Sequence, residues 1–258
     1  MTDSALVRID REGSTAVITM TNAAKRNALS RAMMRALIGA LDGVAADPSA
    51  RAVILRGEGP AFSAGHDLRE IAEARGAEMD EIFDICVELM ERLQRIEAPT
   101  IAEVDGIATA AGCQLVATCD LAVASERSVF ATPGVKIGLF CSTPMVALTR
   151  AIGRKAAMEM LLLGESIDAE RALAWGLVNR VVTAESLHGE ALALAERIAR
   201  SARTTVATGK AAFYEQIALP QHEAYAYTKA VMARNARAAD AVEGIGAFLE
   251  KRSPRWQA

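Results

Sequence analysis

A short run of small residues, 109-TAAG-112, could present free backbone N–H groups to a ligand. An apolar helical pattern follows it, and the first N–H groups of a helix lack intrahelical partners and lie at the positive end of the helix dipole. We expect Thr109 to cap this helix, which would begin near Ala110. The small side chains leave the donors accessible and predict half of an anion hole, although they would also serve close helix–strand packing.

A second stretch, 62-FSAGHDL-68, follows a buried strand and could supply the other half of such a hole. Gly65 allows close backbone approach and leaves the N–H of His66 available. Two N–H groups that converge on one oxygen would stabilise a thioester enolate or a tetrahedral oxyanion, each contributing roughly 3–4 kcal/mol. The amides of His66 and Ala111 are therefore the predicted chemical centre.

Alternating strand and helix patterns would position these two loops. A hairpin is predicted at 6–20, a helix capped by Ser30 follows, and a long amphipathic helix should end before Pro99. Further strands are predicted at 51–57, 99–104 and 121–125. The alternation predicts an α/β fold, and the segment from about 185 to 252 is almost entirely helical in pattern.

Composition excludes several classes of protein. The formal net charge of −3 over 258 residues argues against a nucleic-acid or anionic-membrane partner, and no segment approaches the roughly 18 apolar residues of a spanning helix. The acidic N-terminus predicts neither a secretory signal nor a transit peptide. Four cysteines without a CxxC pair and three scattered histidines predict no metal site, reduced thiols and a cytoplasmic location.

Six motifs occur in order along nearly the whole chain. They are 25-KRNALS-30, 62-FSAGHDLREI-71, 105-DGIATAAGCQLVATCDLAVAS-125, 130-FATPGVKIGL-139, 164-GESIDAERALAWGLVNRVV-182 and 247-AFLEKRSPRW-256. Together they resemble the crotonase superfamily, also called the enoyl-CoA hydratase/isomerase family.

The resemblance implies a spiral of ββα units followed by a C-terminal helical trimerisation region. We therefore divide the chain into a core at 1–200, which would hold the site, and a helical oligomerisation region at 201–258. The implied ligand is an acyl-CoA thioester, with coenzyme A as part of the substrate and no covalently bound cofactor. The implied assembly is a homotrimer or a dimer of trimers.

The same resemblance assigns roles to individual positions. The thioester carbonyl would lie between the amides of His66 and Ala111; the family usually has glycine at the latter position, but alanine keeps the N–H. The residues matched to the coenzyme A path are Lys25, Arg26, Ala64, Asp67 and Leu68, with Phe248 and Lys251 at the nucleotide end, where they could serve a neighbouring subunit. Solvated surface charge is the alternative explanation for the three basic residues.

Two departures from the family pattern bear on the reaction. Hydratases of the family use two glutamates around a water molecule, and this chain has Gln114 and Gly134 at the matching positions. Position 114 follows Ala111 by one helical turn, so we expect it to overhang that amide and face the substrate. Because a general acid or base contributes about 10²–10⁴-fold, loss of both should cripple ordinary hydration.

Other side chains could replace the missing acids. Ser142 could orient a water molecule, and Cys141 could act as a nucleophile, although a packed thiol is the simpler explanation. The imidazole of His66 could act as a base instead of making a structural hydrogen bond. Glu103, an acid in an apolar run, is expected at a subunit or strand edge.

Three functional hypotheses remain open at this point. The first is a crotonase-type enzyme that performs isomerisation, thioester hydrolysis, decarboxylation or slow hydration. The second is an acyl-CoA-binding oligomer without catalysis. A serine hydrolase that uses Ser63 or Ser142 with His66 is the weakest, because the sequence has no G-x-S-x-G nucleophile elbow.

Overall fold

The computed structural model describes residues 6–256 and confirms the α/β class. The strands in this range are β1 (Val7–Glu12), β2 (Thr15–Met20), β3 (Ala52–Gly57), β4 (Ala61–Ser63), β5 (Thr100–Val104), β6 (Ile107–Thr109), β7 (Leu121–Ser125), β8 (Val129–Ala131), β9 (Ile167–Asp168) and β10 (Arg180–Val182). The helices are α1 (Arg31–Ala45), α2 (Leu68–Glu73), α3 (Ala77–Arg95), α4 (Ala111–Thr118), α5 (Ser142–Ala151), α6 (Arg154–Leu163), α7 (Ala169–Trp175), α8 (Leu187–Ala199), α9 (Arg203–Gln216), α10 (Gln221–Asn235) and α11 (Ala239–Leu249).

The strands form two sheets, and from β3 to β8 the chain alternates between them. The larger sheet has the order β1-β2-β3-β5-β7-β10, and the smaller has the order β4-β6-β8-β9. The pairs β3/β4, β5/β6 and β7/β8 each place their first strand in the larger sheet and their second in the smaller one. Within the larger sheet the predicted hairpin β1/β2 is antiparallel and the other pairs are parallel. This repetition is the spiral of ββα units that the resemblance implies.

Central strands of the larger sheet are covered on both faces. Val53 and Leu55 of β3 enter the main core, whereas Ile54 enters a second cluster with Leu187 and Ala191 of α8. Successive side chains of a strand point to opposite faces, so a strand buried on both sides has a continuous apolar run. The sequence 52-AVIL-55 shows this pattern.

The first helix forms as its sequence predicts. The hydroxyl of Ser30 accepts a hydrogen bond from the N–H of Met33 at 3.1 Å, which caps α1. The predicted apolar face is buried, and it comprises Met33, Met34, Leu37, Ile38 and Leu41.

The last three helices, α9 to α11, bury few residues. Within α10 only Val231 is buried, and α9 has no buried residue. By contrast α8, which precedes the predicted division at residue 200, packs against the larger sheet. The division itself, and the oligomerisation role of 201–258, remain predictions.

Glu103 lies in the middle of the larger sheet, so the expected strand-edge position is wrong. Its strand, β5, pairs with β3 on one side and β7 on the other, and the residue is 4% exposed. Arg56 and His188 surround the carboxylate, with an Nη1–Oε1 distance of 3.3 Å and an Nδ1–Oε2 distance of 2.7 Å. Neighbouring side chains, not solvent, therefore compensate for the burial of this acid.

No helix within residues 6–256 is long and apolar enough to cross a bilayer.

Candidate active site

Helix α4 begins at Ala111, and its N-cap is Ala110 with φ 51° and ψ −120°. The prediction that Thr109 caps this helix is wrong. Thr109 is the last residue of β6, where it pairs with Ala131, and the N–H of Ala110 also donates to the carbonyl of Ala131 at 2.9 Å. The sheet therefore holds the chain one residue longer than expected, and Ala110 makes the reversal in a left-handed conformation that alanine rarely adopts.

Gly65 brings the second loop directly against this helix start. Its φ is +85°, and a Cβ at this position would lie 2.8 Å from the Cβ of Ala110 and 3.1 Å from the nitrogen of Ala111. Only glycine tolerates both the conformation and the contact. The peptide that contains the N–H of His66 therefore lies next to the N–H of Ala111.

The orientation of the His66 amide follows from its neighbour on the other side. The carbonyl of Gly65 accepts a hydrogen bond from the N–H of Leu29 at 2.8 Å. In a trans peptide the C=O and N–H point in opposite directions, so the N–H of His66 points away from Leu29. Within residues 6–256, neither this N–H nor that of Ala111 has a recorded hydrogen-bond acceptor.

Both residues line an apolar cavity of about 470 Å³. Of the predicted site residues, the cavity wall contains Ala64, His66, Leu68, Ala111, Gly134 and Ser142. Apolar side chains from α2, α3 and the segment after Gly134 complete it, chiefly Ile71, Phe83, Ile137, Leu139 and Phe140. A concave apolar site with a few convergent polar groups is typical of small-molecule binding.

Gly134 leaves no room for the second glutamate. A Cβ on this residue would lie 1.9 Å from the carbonyl oxygen of Leu139 and 2.9 Å from the Sγ of Cys141. The same loop is fixed by a 3.0 Å hydrogen bond from the N–H of Leu139 to the carbonyl of Gly134. The segment that follows Gly134 and forms part of the cavity wall therefore packs directly against the backbone of this glycine.

Gln114 does not line the cavity, which differs from the expected orientation towards the substrate. Its side chain is 4% exposed, and its Oε1 lies 3.9 Å from the Sγ of Cys86 on α3. A neutral amide can accept this weak thiol hydrogen bond inside the core, where an ionised carboxylate would be costly. The side chain thus turns to the α3 interface and not to the ligand.

Ser142 and Cys141 lie where the cavity wall enters α5. The exposed hydroxyl of Ser142 donates to the carbonyl of Phe140 at 3.4 Å and has no base beside it among its recorded partners. Burial raises the pKa of the Cys141 thiol, which makes it a poor nucleophile near neutral pH. Neither residue has the arrangement of an activated nucleophile.

The imidazole of His66 lies in the cavity wall with its edge towards Phe83, at a ring-centroid distance of 5.5 Å. Both ring nitrogens are buried and have no hydrogen-bond partner within residues 6–256. Burial lowers the pKa of this histidine below its usual 6.5, so the ring is neutral at pH 7. An interaction with the backbone of Leu29 opposes this shift and is the one structural contact of the ring nitrogens that the described residues offer.

Of the residues matched to the coenzyme A path, Ala64 and Leu68 line the cavity and the others do not. Lys25 and Asp67 form an ion pair of 3.2 Å beside the cavity, and Asp67 also caps α2 by accepting from the N–H of Arg69. Arg26 is exposed and left-handed, with φ 52°. Phe248 and Lys251 are exposed at the end of the last helix, and neither lines the cavity of this chain.

The sequence analysis missed the residues that hold the second loop, 62–68, in place. The side-chain N–H groups of Asn27 donate to the carbonyls of Glu58 and Ala61, both at 2.9 Å, and the hydroxyl of Ser63 donates to the carbonyl of Asn27. Asn27 is fully buried with φ 51°, a conformation that asparagine tolerates better than most residues. Asparagine in the motif 25-KRNALS-30 was the available signal.

The sequence model of the enoyl-CoA hydratase/isomerase family matches residues 10–258. The chain belongs to this family. The mitochondrial enoyl-CoA hydratase domain-containing protein 3 of Danio rerio is 46% identical over 254 residues, which cover 98% of this chain and 88% of that protein. The 2,3-dehydroadipyl-CoA hydratase of Escherichia coli K12 is 33% identical over 247 residues, covering 95% and 96%.

Solved structures of the enoyl-CoA hydratase/isomerase family share the fold described above. A crystal structure of enoyl-CoA hydratase from Mycobacterium smegmatis superposes with a TM-score of 0.94 at 48% identity, covering 98% of this chain and 99% of that one. The crotonase-like spiral is thereby confirmed. These similarities establish the family and leave the roles of individual residues to the geometry of the site.

Proposed function

We propose that this protein is an acyl-CoA enzyme that holds the thioester carbonyl between the N–H groups of His66 and Ala111. The observation that carries the proposal is the contact between Gly65 and the start of α4, since His66 and Ala111, the residues beside this contact, both line the cavity. Negative charge that develops on the carbonyl oxygen, as an enolate or a tetrahedral oxyanion, would be stabilised there. Family membership supports the acyl-CoA substrate.

Ordinary enoyl-CoA hydration is not the reaction we propose. Hydration needs one group that activates a water molecule as a base and another that protonates the substrate carbon. Gln114 faces Cys86, and Gly134 has no space for a side chain. Among the described residues of the cavity wall there is no aspartate or glutamate. Isomerisation or another reaction through an enolate fits this wall better, with thioester hydrolysis as a further possibility.

Binding of acyl-CoA without turnover is the second candidate, and the same lack of acids favours it. In either case coenzyme A enters as part of the ligand, with Lys25, Arg26, Ala64, Asp67 and Leu68 along its path. Phe248 and Lys251 would serve the site of a neighbouring subunit in a homotrimer or a dimer of trimers. The cytoplasmic location also stays a prediction.

Gly65→Ala tests the amide pair, because the added Cβ would push against Ala110 and the nitrogen of Ala111. Gly13→Ala is the matched control, since Gly13 has a similar left-handed φ of +58° but nothing within 4 Å of an added Cβ. The ligands are butyryl-CoA and its thioether analogue, which lacks the carbonyl oxygen. Calorimetric titration then isolates the contribution of that oxygen.

We expect the wild type and Gly13→Ala to bind the thioester about thirtyfold more tightly than the thioether. Two hydrogen bonds of about 1 kcal/mol each predict a preference of this size. Gly65→Ala should lose the preference while circular dichroism shows that it is folded. Equal affinity of the wild type for both ligands, or crotonyl-CoA hydration near 10³ s⁻¹, would contradict the proposal.

A further inference from the structure

The cavity wall contains one histidine, the residue type whose usual pKa suits proton transfer near pH 7. The titratable groups among the described wall residues are His66, Lys136 and Cys141. Burial raises the pKa of the Cys141 thiol further from neutrality. Among ordinary side chains, histidine has the usual pKa that lies nearest to neutral pH. The imidazole of His66 is therefore the group whose protonation state can change usefully during a reaction.

The same residue supplies one of the two proposed carbonyl donors. If the N–H of His66 holds the thioester oxygen, the α-carbon of the acyl group lies two bonds from that oxygen. The imidazole projects from the same residue into the wall of the same cavity, against Phe83. The fold thus brings a neutral proton acceptor close to the carbon whose acidity the amide pair would increase.

The hydrogen-bonding state of the ring points to a ligand. Buried polar groups nearly always have partners, and each exception calls for an explanation. Within residues 6–256 both nitrogens of His66 are buried and neither has a partner at good hydrogen-bond geometry. The backbone of Leu29 is the one group that interacts with the ring, and it raises the pKa against the effect of burial. A half-turn about the Cβ–Cγ bond exchanges ring nitrogens with ring carbons in the same plane, and this torsion is broad in histidine. After such a half-turn the ring fills the same space, and a nitrogen takes the place of a ring carbon, where it can accept a proton from a ligand.

We infer that the imidazole of His66 accepts the α-proton of a bound acyl thioester, an inference that rests on the function proposed above. The Cα–H bond breaks and the proton goes to a ring nitrogen. The electron pair of that bond forms the carbon–carbon double bond of the enolate, and the π pair of the carbonyl moves onto the oxygen between the two amides. Return of the proton to Cα restores the thioester. In a 3-enoyl thioester, delivery to the γ-carbon instead moves the double bond to the 2-position. Neither route requires a further reactant.

The electrostatic surroundings suit a proton acceptor. Burial lowers the pKa of His66 and keeps the ring neutral at pH 7, while a hydrogen bond with the backbone of Leu29 and the charge of Glu70 on α2 oppose this effect. Once protonated, the ring would be a charged group in an apolar wall and would return its proton readily. This is the behaviour that a reversible proton shuttle needs.

Proton exchange measures the inferred step directly. Butyryl-CoA is incubated with the enzyme in D₂O, and loss of its α-proton signal is followed by NMR. His66→Gln keeps the backbone N–H, so it should retain the preference for thioester over thioether. Its exchange rate should fall by about 10²–10⁴-fold. The matched control is His222→Gln, because His222 is exposed on α10 and does not line the cavity.

The pH dependence separates a proton acceptor from a structural side chain. In the wild type, exchange should decline as the pH falls through the lowered pKa of His66, below 6.5, and His66→Gln should lack this decline. Three results would overturn the inference: binding without exchange in the wild type, exchange in His66→Gln within threefold of wild type, or an unchanged pH profile. Failure to bind any acyl-CoA would instead refute the proposed function, and the inference with it.

Discussion

At position 134 the backbone comes so close to itself that a side chain has no space. The carbonyl of Leu139 occupies the place of a Cβ, and the Sγ of Cys141 lies just beyond it. A glutamate here would require the segment 135–141 to refold. The absence of the second acid is thus built into the cavity wall and is more than the loss of one functional group.

We predict that Gly134→Ala destabilises the protein by about 1–3 kcal/mol or more, because overpacking against backbone atoms cannot be relieved by a rotamer change. Gly43→Ala is the control, since Gly43 lies exposed in α1 with nothing within 4 Å of an added Cβ. That substitution should stabilise by about 0.5–1 kcal/mol. Urea unfolding measures both changes, and equal effects would contradict the steric argument.

At the residue scale, the sequence indicated which two loops come together more clearly than how the side chains around them are oriented. Gly65 and Ala111 are small residues beside strand ends, a local pattern that can be read directly. The cap at Ala110 depends on the pairing of β6 with β8, and the orientation of Gln114 depends on Cys86 in α3. Both depend on segments far away in the chain, which local patterns do not reveal.

At the element scale, α9 is attached to the sheet by a buried ion pair. The Nζ of Lys210 lies 2.7 Å from the Oδ2 of Asp120 and also donates to the carbonyls of Leu93 and Ala98. The hydroxyl of Tyr214 donates to the Oδ1 of Asp120 at 2.8 Å. Burial lowers the pKa of Lys210, although Asp120 opposes the change. This polar cluster therefore supplies an attachment for a helix that buries no residue fully.

We predict that Lys210→Met lowers the free energy of unfolding by up to about 3–5 kcal/mol, because it leaves the partly buried carboxylate of Asp120 without its cation. Arg95→Met is the control: Arg95 pairs with Glu91 at 2.9 Å, but its side chain is 74% exposed. Removing this pair should cost about 0.5 kcal/mol or less. If chemical denaturation gives similar losses for both variants, the cluster does not anchor α9.

The helices and strands themselves were largely predictable, and their arrangement was not. Apolar spacing after Ser30 predicted α1, and β-forming runs predicted β1, β2 and β3. The two-sheet spiral came from the resemblance, because periodicity does not say which strand pairs with which. The central position of Glu103 illustrates this limit, since its compensation by Arg56 and His188 joins three separate segments.

At the scale of the whole molecule, the last two helices expose large apolar side chains. Tyr225 and Met232 of α10 are exposed, as are Val242, Phe248 and Leu249 of α11. Phe248 alone is 82% exposed. A contact with further copies of the chain would cover such exposed apolar side chains.

We predict that the protein sediments at three or six times the mass of one chain. Phe248→Asp should shift it towards smaller species, because a charge in an apolar interface must be desolvated. Val87→Asp is the control, since Val87 is 42% exposed on α3, away from α10 and α11 in the chain. Analytical ultracentrifugation would contradict the prediction if the wild type were monomeric at micromolar concentration.

The donors beside Gly65 and at the start of α4 belong to the main chain. Every amino acid except proline carries an N–H, so replacing the side chain at either donor position leaves the donor itself intact. The acids and bases around the ligand can therefore diverge in evolution while the two main-chain donors still bind the carbonyl. A related protein could therefore catalyse a different reaction with the same two main-chain donors. The reactions of two relatives can differ even where their backbones superpose.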